Sequence, residues 1–191
     1  MRVLALAGLF VMLGLAASAQ EKGIQSAAPT APVVPFSSNG CSGFREAMFF
    51  TCCFVHDFSF WAGGNWTDRR RADKTLRRCI IDIGKDRFRG DFAYFLVRLG
   101  LVPGYVGVDD GWGRAWRGDQ RKADPPRARF SALTPEQKTI VADEKIRVCR
   151  GLTLDRSTGN YTIDPRLLRT DPRELHAQQA QQFCGAELSD R

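Results

Sequence analysis

Cys52-Cys53-Phe54-Val55-His56-Asp57 is the stretch on which the fold turns. Phe49, Cys52, Cys53, His56 and Phe60 recur at helical spacing around it and predict a helix over residues 45–61. The segment Trp61-Ala62-Gly63-Gly64-Asn65-Trp66 reads as a turn, with the glycine pair ending the helix. Thr67 or Asp68 is then placed to cap a second helix running to about Gly84. Ala72, Asp73, Leu76, Ile80 and Ile83 share one face of that helix, while Arg69, Arg70, Arg71, Lys74, Arg77 and Arg78 cover much of the rest. So short a connection implies an antiparallel pair.

The pairing gives the histidine a chemical context. Asp73 lies on the inner, apolar stripe, where an unpartnered carboxylate is costly. The antiparallel arrangement makes His56 a candidate partner, and a salt bridge to a nearby arginine is the competing assignment. A carboxylate on one ring nitrogen fixes the tautomer and leaves the other nitrogen as a base. Asp57 follows His56 by one residue, roughly 100° round the helix, and is free to hold a cation. Calcium takes six to eight oxygen ligands, and the Gly-containing loop Asn39-Gly40-Cys41-Ser42 has backbone carbonyls to offer.

Toward the N-terminus, Arg2 is followed by an apolar run from Val3 to Leu15 and by Ala17-Ser18-Ala19. This is the pattern of a cleaved export signal over residues 1–19, with Gln20 as the mature N-terminus. An uncleaved anchor helix is the competing reading, but the run is short of the roughly 20 residues a bilayer requires. Residues 20–38, rich in Ala, Pro and Ser, read as a flexible or extended lead-in. Residues 39–191 read as a single domain, with no further stretch apolar enough to span a membrane. The six cysteines, Cys41, Cys52, Cys53, Cys79, Cys149 and Cys184, all follow the signal. An even count in an exported chain predicts three disulfides and leaves their pairing open. A zinc site is the rival, but no CxxC pair exists. The chain is thus expected to be exported, periplasmic or secreted. Its formal charge of +7 suits anionic lipid or polyanionic wall polymers, or serves solubility alone. Nucleic-acid binding would rest on that charge only and is not expected.

The remaining chain also reads as helical. Residues 90–99 form a third apolar helix stopped by Gly100 and Pro103. Residues 100–131 are loop-like, with Asp109-Asp110-Gly111 as a turn lacking EF-hand spacing. Thr134-Pro135-Glu136 starts a helix that reaches about Cys149, and a last helix runs from near Asp171-Pro172 to Cys184. The fold class expected is mostly α: an antiparallel helix pair braced by disulfides, with extra C-terminal helices.

Taken together, residues 39–83 resemble the phospholipase A2 superfamily, especially its bacterial branch. The family pattern is a calcium loop with an early Cys, then Cys-x-x-His-Asp on a helix, then an Asp on the antiparallel helix. Here that corresponds to Cys41, to Cys53-Phe54-Val55-His56-Asp57 and to Asp73. In secreted animal members, the first Cys of a doublet bonds a Cys six residues beyond the helix Asp, and Cys79 holds that position. The resemblance therefore implies Cys41–Cys53 and Cys52–Cys79, leaving Cys149–Cys184. It also implies calcium held by Asp57 and by oxygens of Asn39 and Gly40. The activity implied is hydrolysis of the sn-2 ester of glycerophospholipids by water activated at His56 and Asp73, on a phospholipid surface. The Arg-rich face of the second helix, with Trp61 and Trp66 in the adjacent turn, suits an anionic membrane surface, but an ordinary solvated helix face with the tryptophans packed inside is the preferred reading. Two departures stand out: Asn39 replaces the family's common Asp, and Phe60 replaces a Tyr that bonds the supporting Asp. Both favour the rival reading, a non-catalytic exported binding module with a degenerate site of this type.

Overall fold

The computed structural model describes residues 34–41, 47–99, 112–116, 130–169 and 174–188. A 3-10 turn at Ala47–Phe49 leads into helix α1, Phe50–Ala62. Phe50, Phe54, Phe58 and Trp61 fall on one side of α1 and are buried there. Gly63 ends the helix at φ 77°, where its backbone passes that of Gly113 so closely that a Cβ would lie 2.6 Å from the Gly113 Cα. Helix α2, Trp66–Gly84, follows. Its cap is Asn65 rather than Thr67 or Asp68. The Asn65 side chain accepts from the Thr67 and Asp68 amides, and the Asp68 carboxylate accepts from the Asn65 amide. Such a box satisfies N-terminal donors reciprocally.

The pair α1/α2 is antiparallel: Cys52 is bonded to Cys79, and four residues further along α1 His56 meets Asp73. Helix α3, Arg87–Leu99, returns along α2 in turn, with Asp91 meeting Arg77 and Arg98 meeting Asp73. Helix α4, Pro135–Arg150, starts on Thr134, which forms its own capping box with Gln137.

The chain is mostly helical, as expected, but after α4 it forms strands that the sequence did not signal. Leu152–Leu154 (β1), Tyr161–Ile163 (β2) and Glu174–Leu175 (β3) form a small antiparallel sheet in that order. Helix α5, Ala177–Cys184, therefore begins later than Asp171-Pro172, because residues 174 and 175 pair with β2. The His176 amide donates to the Thr51 hydroxyl and ties the start of α5 to α1.

Other expectations are corrected by burial. The end of the lead-in is a structural strut: Phe36 sits in the core, edge-on to Phe54, Phe58 and Trp61. Its amide donates to Glu144 on α4, and Ser38 bridges to Leu168. Trp61, by contrast, is packed inside as preferred: it is fully buried and donates to the Val34 carbonyl. It belongs to the same apolar side of α1 as Phe54 and Phe58. Arg69 turns inward over the Phe60 ring instead of covering the solvent face.

The disulfides are Cys41–Cys53, Cys52–Cys79 and Cys149–Cys184, the pairs the resemblance implies. Three such bonds point to folding in an oxidising compartment. The export signal, Asp109-Asp110-Gly111 and the residues around Gly100 and Pro103 lie outside the described residues. Among the described residues no helix is long and apolar enough to cross a membrane.

Candidate active site

The crossing of α1 and α2 brings His56 Nε2 to 3.0 Å from Asp73 Oδ1. Asp73 is fully buried and the imidazole nearly so. The second oxygen of Asp73 accepts from Arg98 Nη1 at 3.2 Å. An ionised Asp73 makes Nε2 the protonated ring nitrogen and leaves the lone pair on Nδ1. Phe60, one turn along α1, lies with its ring 4.4 Å from the imidazole. Trp112 meets Phe60 edge-on and donates to the Gly64 carbonyl, completing an aromatic wedge around the histidine. The ring is thus held by a hydrogen bond on one edge and by packing on its face.

Asp57 projects to another side of α1, toward the chain before Cys41. Its Oδ2 accepts from the Ser38 hydroxyl at 2.6 Å and from the Asn39 amide at 3.2 Å. The Ser38 hydroxyl also accepts from the Gly40 amide. Cys41–Cys53 pins this segment to α1. Gly40 adopts φ 70° against the Phe50 ring, where a Cβ would approach to 2.8 Å. Asn39, Gly40 and Asp57, the residues expected to hold calcium, therefore share one corner. Burial pushes the Asp57 carboxyl above the usual carboxylate range, against the pull of Ser38, His56, Arg114 and the Asn39 amide. An acid so placed is short of positive compensation, which suits a hard cation. Among the described residues no three His, Cys, Asp or Glu side chains converge on one point. A cation here would rely on one carboxylate and on main-chain oxygens, a thinly charged set that predicts weak binding.

A cleft of about 620 Å³ opens on the flank of His56 away from Asp57. α1 lines it with Val55, His56, Ser59 and Ala62, α2 with Ala72 and Leu76, and the C-terminal part with Val141 and Phe183. Arg71, Lys138 and Lys145 add positive charge to this apolar lining, and Gln179 contributes a buried side-chain oxygen with no partner. Asp68 also lines the cleft and pairs with Arg71, which leaves Lys138 and Lys145 as the cations beside the apolar lining, an arrangement that suits an amphipathic anion. Asp57, Asn39 and Gly40 are not among its lining residues. His56 is the one residue of the expected set that reaches it.

Sequence reasoning missed Arg98 and Ser38. Arg98 ends an apolar helix, and the sequence offered only an unspecified nearby arginine as a competing partner of Asp73. Ser38 closes an Ala/Pro/Ser-rich stretch with no periodicity. The whole C-terminal wall of the cleft was missed for the same reason, since only folding brings α4 and α5 to α1. No family model, curated protein or solved structure matches this chain, so the functional argument rests on its own residues.

Proposed function

We propose that this chain is an exported, calcium-dependent hydrolase of the sn-2 ester of glycerophospholipids, with a core of the phospholipase A2 type. The observation that carries the reading is the 3.0 Å contact between His56 and the buried Asp73, with Asp57 adjoining it under the Ser38–Gly40 segment. His56 would take a proton from water at Nδ1, while Asp73 orients the ring and stabilises its charged form. Asp57, with oxygens of Asn39 and Gly40, would hold calcium. Bound there, the ion would supply Lewis-acid polarisation of the ester carbonyl. The cleft beside His56 has apolar lining for acyl chains, and Lys138 and Lys145 favour an anionic headgroup. The partner is accordingly a phospholipid membrane surface carrying negative charge.

The test is release of fatty acid from phospholipid vesicles by the mature protein at millimolar calcium. Release that EDTA stops and His56→Gln abolishes supports the reading. No release from correctly disulfide-bonded wild type rejects it.

A second reading is favoured by one specific arrangement. Asp57 already accepts from Ser38 and Asn39, and the cleft excludes it. On that basis the chain is a binding module for amphipathic anions in which His56 and Asp73 form a buried structural pair. A calcium titration followed by thermal melting separates the two, because a ligand that binds only the native state raises its melting temperature.

A further inference from the structure

Helix α3 carries its large apolar side chains on the outside. Phe88, Phe92, Phe95 and Leu99 recur at i, i+4, i+7 and i+11 and so form one stripe along the helix. They are 77%, 48%, 55% and 53% exposed. Isolated exposed apolar residues are ordinary, but four in register along one helix mark an interaction surface. The opposite side of α3 is built for contact with α2. Gly90 and Ala93 are buried there, and Gly90 packs so tightly that a Cβ would lie 2.4 Å from Ile81 Cγ1. The inner side is therefore already used, and the aromatic stripe faces away from the core.

Charge identifies what the stripe meets. Residues 66–99 hold ten Arg and Lys against five Asp, which is most of the chain's formal +7. Asp91, the one acid on α3, is paired with Arg77 and Arg87, and Asp86 with Arg89. Arg70, Lys74 and Arg78 line the exposed side of α2 at four-residue spacing. Phe and Leu along one face of a helix, in a helix pair whose charges sum to +5, match a helix lying in the headgroup region of an anionic bilayer. A second copy of the chain fits poorly, since pairing through α3 would bring together two segments that each carry net positive charge.

We infer that the outer face of α3 docks this protein on an anionic lipid bilayer, with Phe88, Phe92, Phe95 and Leu99 entering the headgroup layer. None of the four lines the cleft beside His56, so docking through them does not require hydrolysis. It differs from a contact through Trp61 and Trp66 in placing the apolar anchors on α3.

The experiment uses His56→Gln protein in EDTA, so that binding is read without turnover. It is sedimented with vesicles of mixed phosphatidylglycerol and phosphatidylcholine, or of phosphatidylcholine alone. The expected result is binding to the anionic vesicles only, weakened at high salt as screening shortens the range of the attraction. Phe88→Ser/Phe92→Ser/Phe95→Ser should weaken it at least tenfold, with an unchanged melting temperature. Four outcomes overturn the inference. These are no pelleting with anionic vesicles, equal pelleting with neutral ones, undiminished binding by the triple variant, and a wild-type dimer in sedimentation equilibrium that the triple variant dissociates. Fatty-acid release by wild type is scored separately, so hydrolysis and docking can fail independently.

Discussion

Arg98 donates to one oxygen of Asp73 at 3.2 Å while His56 holds the other at 3.0 Å. The acid thus has a donor on each oxygen, one from α1 and one from α3. Phe60 cannot supply the hydroxyl that members of the resembled family place beside this acid, and its ring packs on the imidazole instead. The second support comes from the third helix, 25 residues along the chain.

Arg98→Met should therefore leave a fully buried carboxylate with one partner. Loss of a hydrogen bond to a buried group costs about 1–3 kcal/mol, to be read from urea unfolding. If the chain hydrolyses phospholipid, the same variant should lower kcat more than it raises KM, because the histidine loses orientation rather than substrate contact. Arg98→Lys should recover part of the stability, since a single ammonium can still reach the acid but lacks the guanidinium fork.

Asp57 makes a pH prediction whose sign follows from its raised pKa. Burial lifts its carboxyl above the ordinary 3.8. Between that value and the raised one, the folded chain binds more protons than the unfolded chain. Stability contributed by this group therefore falls as pH rises through the window. Asp57→Asn should flatten that part of the stability profile measured in EDTA. Calcium should stabilise wild type most at the upper end of the window, where the carboxyl is ionised, and should leave the variant unchanged.

The two-helix core was legible because its signals are local. Apolar spacing marked α1 and α2, the Gly63-Gly64 break forced them antiparallel, and an acid at Asp73 on the inner stripe demanded a partner. Strands β1 to β3 were not legible. They hold three, three and two residues, too few for alternation to show, and they pair through contacts that only the folded chain supplies. Phe36 misled for a related reason: its neighbours are Pro, Ser and Val, and nothing nearby in sequence reveals that it fills the space between Phe54, Phe58 and Trp61. Trp61 was legible only as a choice, since a tryptophan beside a glycine turn suits an interface as well as the interior where it is found. Its angular position, shared with Phe54 and Phe58, was the better guide.

Cys149–Cys184 joins α4 to α5 across 35 residues and so holds together the C-terminal wall of the cleft. Chain-entropy arguments give a loop of this length about 3–4 kcal/mol. Cys149→Ala/Cys184→Ala should lower stability by that order. It should also weaken binding of an amphipathic anion such as a long-chain alkyl phosphate, because Val141, Lys145 and Phe183 all sit on the two helices it links. His56 and Asp73 lie on α1 and α2, braced by the other two disulfides, so their contact should survive. Unchanged ligand affinity in the folded double variant would show that the cleft does not depend on this staple.

Gly90 sets how closely α3 approaches α2, and two opposing effects decide the outcome of changing it. Alanine favours the helix by about 1 kcal/mol over glycine. Against this, an added Cβ would lie 2.4 Å from Ile81 Cγ1 and 3.0 Å from the Arg77 carbonyl oxygen. The Ile81 side chain can turn aside, but the carbonyl belongs to α2 itself, and overpacking of this kind costs about 1–3 kcal/mol. Gly90→Ala should thus be mildly destabilising, and Gly90→Val, which cannot relax, clearly more so. Pushing α3 outward also draws Arg98 from Asp73. The effects should then be non-additive: Arg98→Met should cost less in the Gly90→Val background than in wild type, a coupling that a double-mutant cycle in urea measures directly. Strict additivity would mean that α3 delivers Arg98 to the buried acid independently of its packing at Gly90.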